Sequence, residues 1–157
     1  MALTQENYRK LYILLGVSLV LILGSGYYSY SLYMKNNPKS NFKEWLNGKK
    51  FSMKSIMVGM ASGVVFGFID NAGLYFGMDA ITPFIKELNL GNTANELAGW
   101  GNTYSDFLGS SMGTFVGSII ISKTKVEESP IWADMLGITV GCILGIYIPK
   151  VLVGKKE

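Results

Sequence analysis

At 157 residues, with 14 basic and 11 acidic side chains and a net charge of +3, the chain is of one-domain length. Its apolar residues nevertheless gather into stretches long enough to make the bilayer the solvent, so no sizeable soluble domain remains outside them. Histidine is absent, which excludes imidazole bases and every zinc motif that needs His; the single cysteine, Cys142, excludes an intrachain disulfide or a thiolate cluster.

The apolar stretches cover residues 11–30, 55–76, 97–121 and 132–148. They predict an all-α integral membrane protein with four transmembrane helices, Gly-rich close-packing faces and short interfacial helices. Residues 1–54 read as an N-terminal anchor helix and a lysine-rich connector, and residues 55–157 as a three-helix membrane core with a short C-terminal tail. The lipid bilayer is the first expected partner. Basic residues lie mostly outside the spans as anchors, so nucleic acid is not expected as one.

The first span opens on Arg9 and Lys10 and runs through LYILLGVSLVLIL. With Gly24, Ser25 and Gly26 behind it, this pattern imitates a secretory signal, and cleavage would leave three spans. The continuation YYSYSLYM reads instead as an interfacial aromatic belt on a retained anchor. Residues 35–54 then carry six lysines and one acid. Here Ser40 is the predicted N-cap of a short surface helix bearing Phe42, Trp45 and Leu46, stopped by Gly48. Eight basic residues fall on the side holding 35–54 and 123–131, against six on the other, which places the connector inside and both chain ends outside.

The second span contains GMASGVVFGFIDNAGLYFG, residues 59–77. With Gly59 set at zero on a helix, Gly63 and Gly67 fall near 40° and 80° and Asp70 near 20°, on the same stripe. Thr82 and Pro83 then read as the N-cap and first residue of a new amphipathic turn carrying Phe84, Ile85 and Leu88. Thr93 with Glu96 is a capping-box start for the third helix, predicted to run to about Ser122. Within it, GNTYSDFLGSSMGTFVG (101–117) sets Asn102, Asp106, Gly109, Gly113 and Gly117 between roughly 0° and 80°. If lipid begins near Leu97, Asp106 lies about 14 Å deep, near mid-bilayer. Asn102, Thr103, Tyr104, Ser105, Ser110 and Ser111 make this helix unusually polar, so it should be shielded by protein or line a hydrated cavity.

The fourth helix follows Ser129 and Pro130, with Asp134 and Gly137, Gly141 and Gly145 on its small face and Pro149 and Lys150 marking its end. Asp134, near the helix start, is expected to cap the free amides there. The order D-x-x-G in helices three and four against G-x-x-D in helix two is a faint inverted echo.

Glycines every four residues are explained by helix packing in lipid, and we assign that role to Gly59, Gly63, Gly67, Gly109, Gly113, Gly117, Gly137, Gly141 and Gly145. The acids are not explained by packing. A carboxylate deep in a bilayer costs several kcal/mol unless paired or hydrated, so Asp70 and Asp106 are either a cation or proton site, or sit at the interface or against a hydroxyl or Lys. Consecutive spans are antiparallel, which lets the two meet. With Asn71, Asn102 and Ser105 they form an all-oxygen set suited to a hard cation such as Ca2+ or Na+, with Asp70 and Asp106 as the metal-binding carboxylates. Without a metal, two such acids should share a proton.

The segments GFIDN at 67–71 and GNTYSD at 101–106, followed by Gly109, resemble the family of transmembrane protein sixty-five, over about residues 55–148. Gly67, Asp70 and Asn71 match its first motif; Gly101, Asn102, Ser105, Asp106 and Gly109 match its second. The resemblance implies sodium-dependent calcium exchange, either as exchanger or as a component of one. It implies a mitochondrial inner membrane in a eukaryote and the cell membrane in a prokaryote. This chain departs in a short N-terminus without an Arg-rich targeting region and in the residues around LYFG and YSDFLGSS.

The combined expectation is a non-enzymatic cation transporter using paired intramembrane carboxylates, with no covalent cofactor and Ca2+ or Na+ bound in alternation. It is expected to assemble as a homo-oligomer, a dimer being favoured, or with a partner membrane protein. Two other readings stand beside it: a scaffold or regulator packing through its glycine faces, and an oligomeric passive cation channel.

Overall fold

The computed structural model describes residues 5–49, 51–126 and 129–153. Lys50 of the connector and the tail after residue 153, with Lys155 and Lys156, lie outside the described residues. Five α-helices follow in order: α1 (Gln5–Asn36), α2 (Phe42–Asn47), α3 (Met53–Glu87), α4 (Ala94–Thr124) and α5 (Ile131–Val153). Three are long and apolar enough to cross a membrane: α1 over Leu15–Asn36, α3 and α5. Their large apolar side chains are widely exposed, as lipid-facing residues are. α4, with its amides, hydroxyls and Asp106, is not among the three.

The chain divides into two compact units, Met1–Trp45 and Leu46–Glu157. The division falls earlier than the expected 54/55 boundary. The side chain of Asn47 accepts a 2.9 Å bond from Trp132 Nε1, which ties the end of the connector to α5. In the first unit Tyr30 packs edge-on against Phe42 and Trp45, with centroids 5.6 and 5.5 Å away. α2 is capped by Asn41, whose Oδ1 accepts from Glu44 N at 3.1 Å, so the cap lies one residue beyond the predicted Ser40. Gly48, at φ 76°, supplies the left-handed residue that stops it.

In the second unit α3 is the central element. It starts in a reciprocal capping box between Ser52 and Ser55 and runs unbroken for 35 residues, about 52 Å. Thr82 and Pro83 therefore do not begin a new helix. Pro83 removes one amide, the partner of the Asp79 carbonyl on an exposed turn, while Thr82 Oγ1 donates back to Met78 O at 2.7 Å. Pro149 likewise does not end α5: buried within it, it is followed by another helical turn to Val153. Long helices tolerate an interior proline where neighbouring groups compensate the lost bond.

The α3–α4 corner is closed by hydrogen bonds. Leu88 N and Leu90 N donate to Phe84 O and Ile85 O at 3.0 Å each, Asn89 takes φ 54°, and Trp100 Nε1 donates to Leu90 O at 3.1 Å. The expected Thr93–Glu96 capping box then starts α4. The Glu96 carboxylate accepts from Thr93 N, Asn92 N and the Thr93 hydroxyl, and these bonds hold its pKa below the ordinary glutamate value.

Both α4 and α5 pack along α3, and among the described residues they do not pack on each other. On the α5 side the helices meet backbone to backbone. A Cβ on Gly63 would stand 2.6 Å from Asp134 O, and one on Gly145 2.6 Å from Phe68 O; Cβ atoms on Gly67, Gly137 and Gly141 would run into Ile138 O, Met60 O and Val64 O. Gly59 faces Ser129 and Ala133. On the α4 side Gly109, Gly113 and Gly117 receive Phe66, Asp70 and Ser62. The α5 contact row on α3 (59, 63, 67 with 60, 64, 68) and the α4 row (62, 66, 70) lie roughly 110° apart around the helix. At contact distances of about 8 Å, that angle puts the α4 and α5 axes about 13 Å apart, too far to touch. A groove floored by α3 therefore runs between them.

Candidate cation site

Asp70 is the eighteenth residue of α3 and Asp106 the thirteenth of α4, so the antiparallel corner brings the two to one level. Their carboxyl groups interact directly, side chain to side chain. Asp70 is 9% exposed and Ser105 fully buried beside it. Ser105 Oγ donates to Asp70 Oδ1 at 2.7 Å and lies 3.1 Å from Asn102 O one turn back on its own helix. Asn102 Nδ2 donates to Asp106 Oδ2 at 2.7 Å. Each carboxylate is thus held by one neutral donor from α4, and each keeps a second oxygen that these bonds do not use.

The sequence had set Asp70 on the stripe of Gly59, Gly63 and Gly67, but those glycines face α5 while Asp70 faces α4. A helix between two neighbours has two contact faces, and an angle of 20° from Gly59 falls between them. Gly109 makes the close approach possible: a Cβ there would lie 2.9 Å from Phe66 O and 3.2 Å from Asp70 N. Asn71 does not join the group. One residue further round the helix, its Nδ2 donates to Cys142 O on α5 at 3.0 Å. Cys142 itself is a half-buried free thiol.

The residues brought together are therefore Asp70, Asn102, Ser105 and Asp106. Their donors are all oxygens apart from the Asn102 amide nitrogen, a set that suits a hard cation by chemistry. Among the described residues no group of three or more His, Cys, Asp or Glu forms, so an ion here would meet two carboxylates and complete its shell with neutral oxygens.

Sequence reasoning missed a second polar line. Asp134 Oδ1 accepts from Ser62 Oγ at 3.5 Å across α3 and α5. Asp134 and Ser62 line the groove with Ser110, Thr114 and Ser118 of α4. The signal was available: Asp106, Ser110, Thr114 and Ser118 recur every four residues, a single face of α4.

No protein-family model, curated protein or solved structure matches the chain.

Proposed function

We propose that the protein is a secondary cation transporter in which Asp70 and Asp106 bind the ion, with Ser105 and Asn102 orienting them. The observation that carries this reading is a direct carboxyl–carboxyl pair, one member 9% exposed, on a helix of membrane length. An intramembrane pair of acids is costly unless it binds or exchanges a positive charge. A proton shared between them when the ion leaves would keep the vacant pair from carrying two charges. The resemblance drawn from the two motifs points the same way, to Ca2+ moving against Na+.

In this reading α4 is the fourth span. It packs along α3, its 31 residues extend about 46 Å, and a polar helix beside an apolar one is shielded on that side. We read the assembly as a homo-oligomer, a dimer first, in the inner mitochondrial membrane of a eukaryote or the cell membrane of a prokaryote.

The test is calcium uptake into liposomes holding the purified chain, with and without an opposing sodium gradient, against the Asp70→Asn, Asp106→Asn double variant. Sodium-dependent uptake in the wild type and none in the variant is the expected result. Equal signals from wild type, variant and empty liposomes would reject the reading. Flux that neither saturates nor depends on a counter-ion would favour a passive channel.

The scaffold reading is favoured by one feature of α1: Cβ atoms on Gly16, Gly24 and Gly26 would meet nothing within 4 Å. The nine glycines assigned to packing, by contrast, all face other parts of the same chain, so a recruited helix would have to dock elsewhere than on them.

A further inference from the structure

The groove between α4 and α5 is lined by the same helical rows that carry the two carboxylates. On α4 the row Asp106, Ser110, Thr114, Ser118 rises in steps of four and spans about 18 Å. On α3 the row Ser62, Phe66, Asp70 does the same. The groove holds about 460 Å³ beside Ser110 and Phe66, and an adjoining 480 Å³ beside Ser129 and Pro130. That is room for many waters on a wall of hydroxyls. Its inner end at Phe66 and Ser110 lies one helical turn, about 6 Å, from Asp70 and Asp106. Its outer end lies at the start of α5, where Asp134 stands exposed with the Ser62 hydroxyl 3.5 Å away.

A carboxylate and four hydroxyls along a membrane-length groove are expensive against hydrocarbon and inexpensive against water. Ser110 already donates to Phe107 O on its own helix at 3.2 Å, which leaves its lone pairs free for water or a cation. A negative charge at the mouth of a low-dielectric cleft raises the local concentration of cations. Phe66 closes the inner end: its carbonyl would lie 2.9 Å from a Cβ on Gly109, and its Cβ 3.1 Å from one on Gly113.

We propose that this groove is a hydrated half-channel by which cations reach the Asp70–Asp106 pair from the α5 N-terminal end of the bundle, with Asp134 drawing them into its mouth and Phe66 closing its inner end. The cargo rests on the transporter reading; the hydration of the groove does not.

Two measurements on the full chain in liposomes separate these points. In a Cys142→Ser background, the single variants Ser110→Cys, Thr114→Cys and Ser118→Cys are exposed to a cationic, membrane-impermeant methanethiosulfonate. Phe115→Cys and Ile119→Cys, on outward-facing positions of the same helix, serve as references. Thiolates form and react in water, so the groove positions should label several-fold faster than the references. Equal or slower labelling overturns the half-channel, whatever the transport assay shows. Calcium uptake by Asp134→Asn should then show a several-fold higher half-saturating concentration with the maximal rate retained. An unchanged half-saturation overturns the role of Asp134. If the wild type moves no cation while the groove labels, the transporter reading fails and the hydrated groove stands.

Discussion

Along α5, α3 is met by glycine on both sides, with main chain pressed against main chain from Gly63 to Gly145 and one side-chain bond, Asn71 to Cys142 O, crossing near the middle. Along α4 the glycines are mostly on the partner helix, and the space they free is filled by Phe66, Ser62 and Asp70. The polar bonds of that second seam run to carboxylates. Separating α3 from α5 would forfeit close van der Waals contact over several turns, with nothing to replace it in lipid. Separating α3 from α4 would forfeit hydrogen bonds that water or an ion can replace. The same helix is thus fixed on one side and exchangeable on the other.

The sharpest way to break this contrast is Gly141→Leu. A Cβ alone would run into Val64 O, so the helix must shift, and we expect a loss at or above the ~3 kcal/mol upper end of ordinary overpacking. Gly24→Leu, in open space on α1, should stay within about 0.5 kcal/mol. Denaturation in mixed detergent micelles measures both, and similar midpoints for the two variants would mean that the α5 seam is not close-packed.

A smaller effect is expected on the α4 side. Ser105→Ala leaves a nearly buried Asp70 oxygen without its donor and should cost about 1–3 kcal/mol. A double-mutant cycle with Asp70→Asn checks this: a coupling near zero would show that the 2.7 Å bond contributes no net stability.

The smallest effect lies at the corner. The Glu96 pKa is depressed in the folded chain, so its stabilisation is complete above the unfolded glutamate value of about 4.3 and is lost as pH falls through the lower folded value. Hydrogen exchange at the Asn92 and Thr93 amides should therefore accelerate below that range in the wild type. Glu96→Gln should remove this pH dependence, and its persistence would assign it to another group.

What could be read from sequence was what is local. The Thr93–Glu96 box needs residues three apart and no tertiary partner, and it forms as expected. The meeting of Asp70 with Asp106 needed only two small-residue faces and an antiparallel corner. The prolines were misread because a helix-start signal at Thr82 and a stop signal at Pro149 describe isolated helices, whereas α3 and α5 are continuous elements packed on each other. Asn71 was assigned to the ion by adjacency to Asp70, but one residue is 100° of rotation, and on a helix with two neighbours that sends the amide to the other one. Periodicity identifies a face; it does not identify which neighbour the face meets.

The bonded corner at residues 84–96 also has a mechanical consequence. It fixes one end of α4, leaving that helix a lever pivoted there. From a pivot near Thr93, Asp106 lies about 20 Å along the arm and Ile121 about 42 Å. A rotation of about 5° would then move Asp106 by about 1.7 Å, roughly the difference between gripping an ion and releasing it, and the far end by about 3.7 Å. The travel is greatest where the groove is widest, so a single swing would loosen the carboxylate pair and change the width of its approach together.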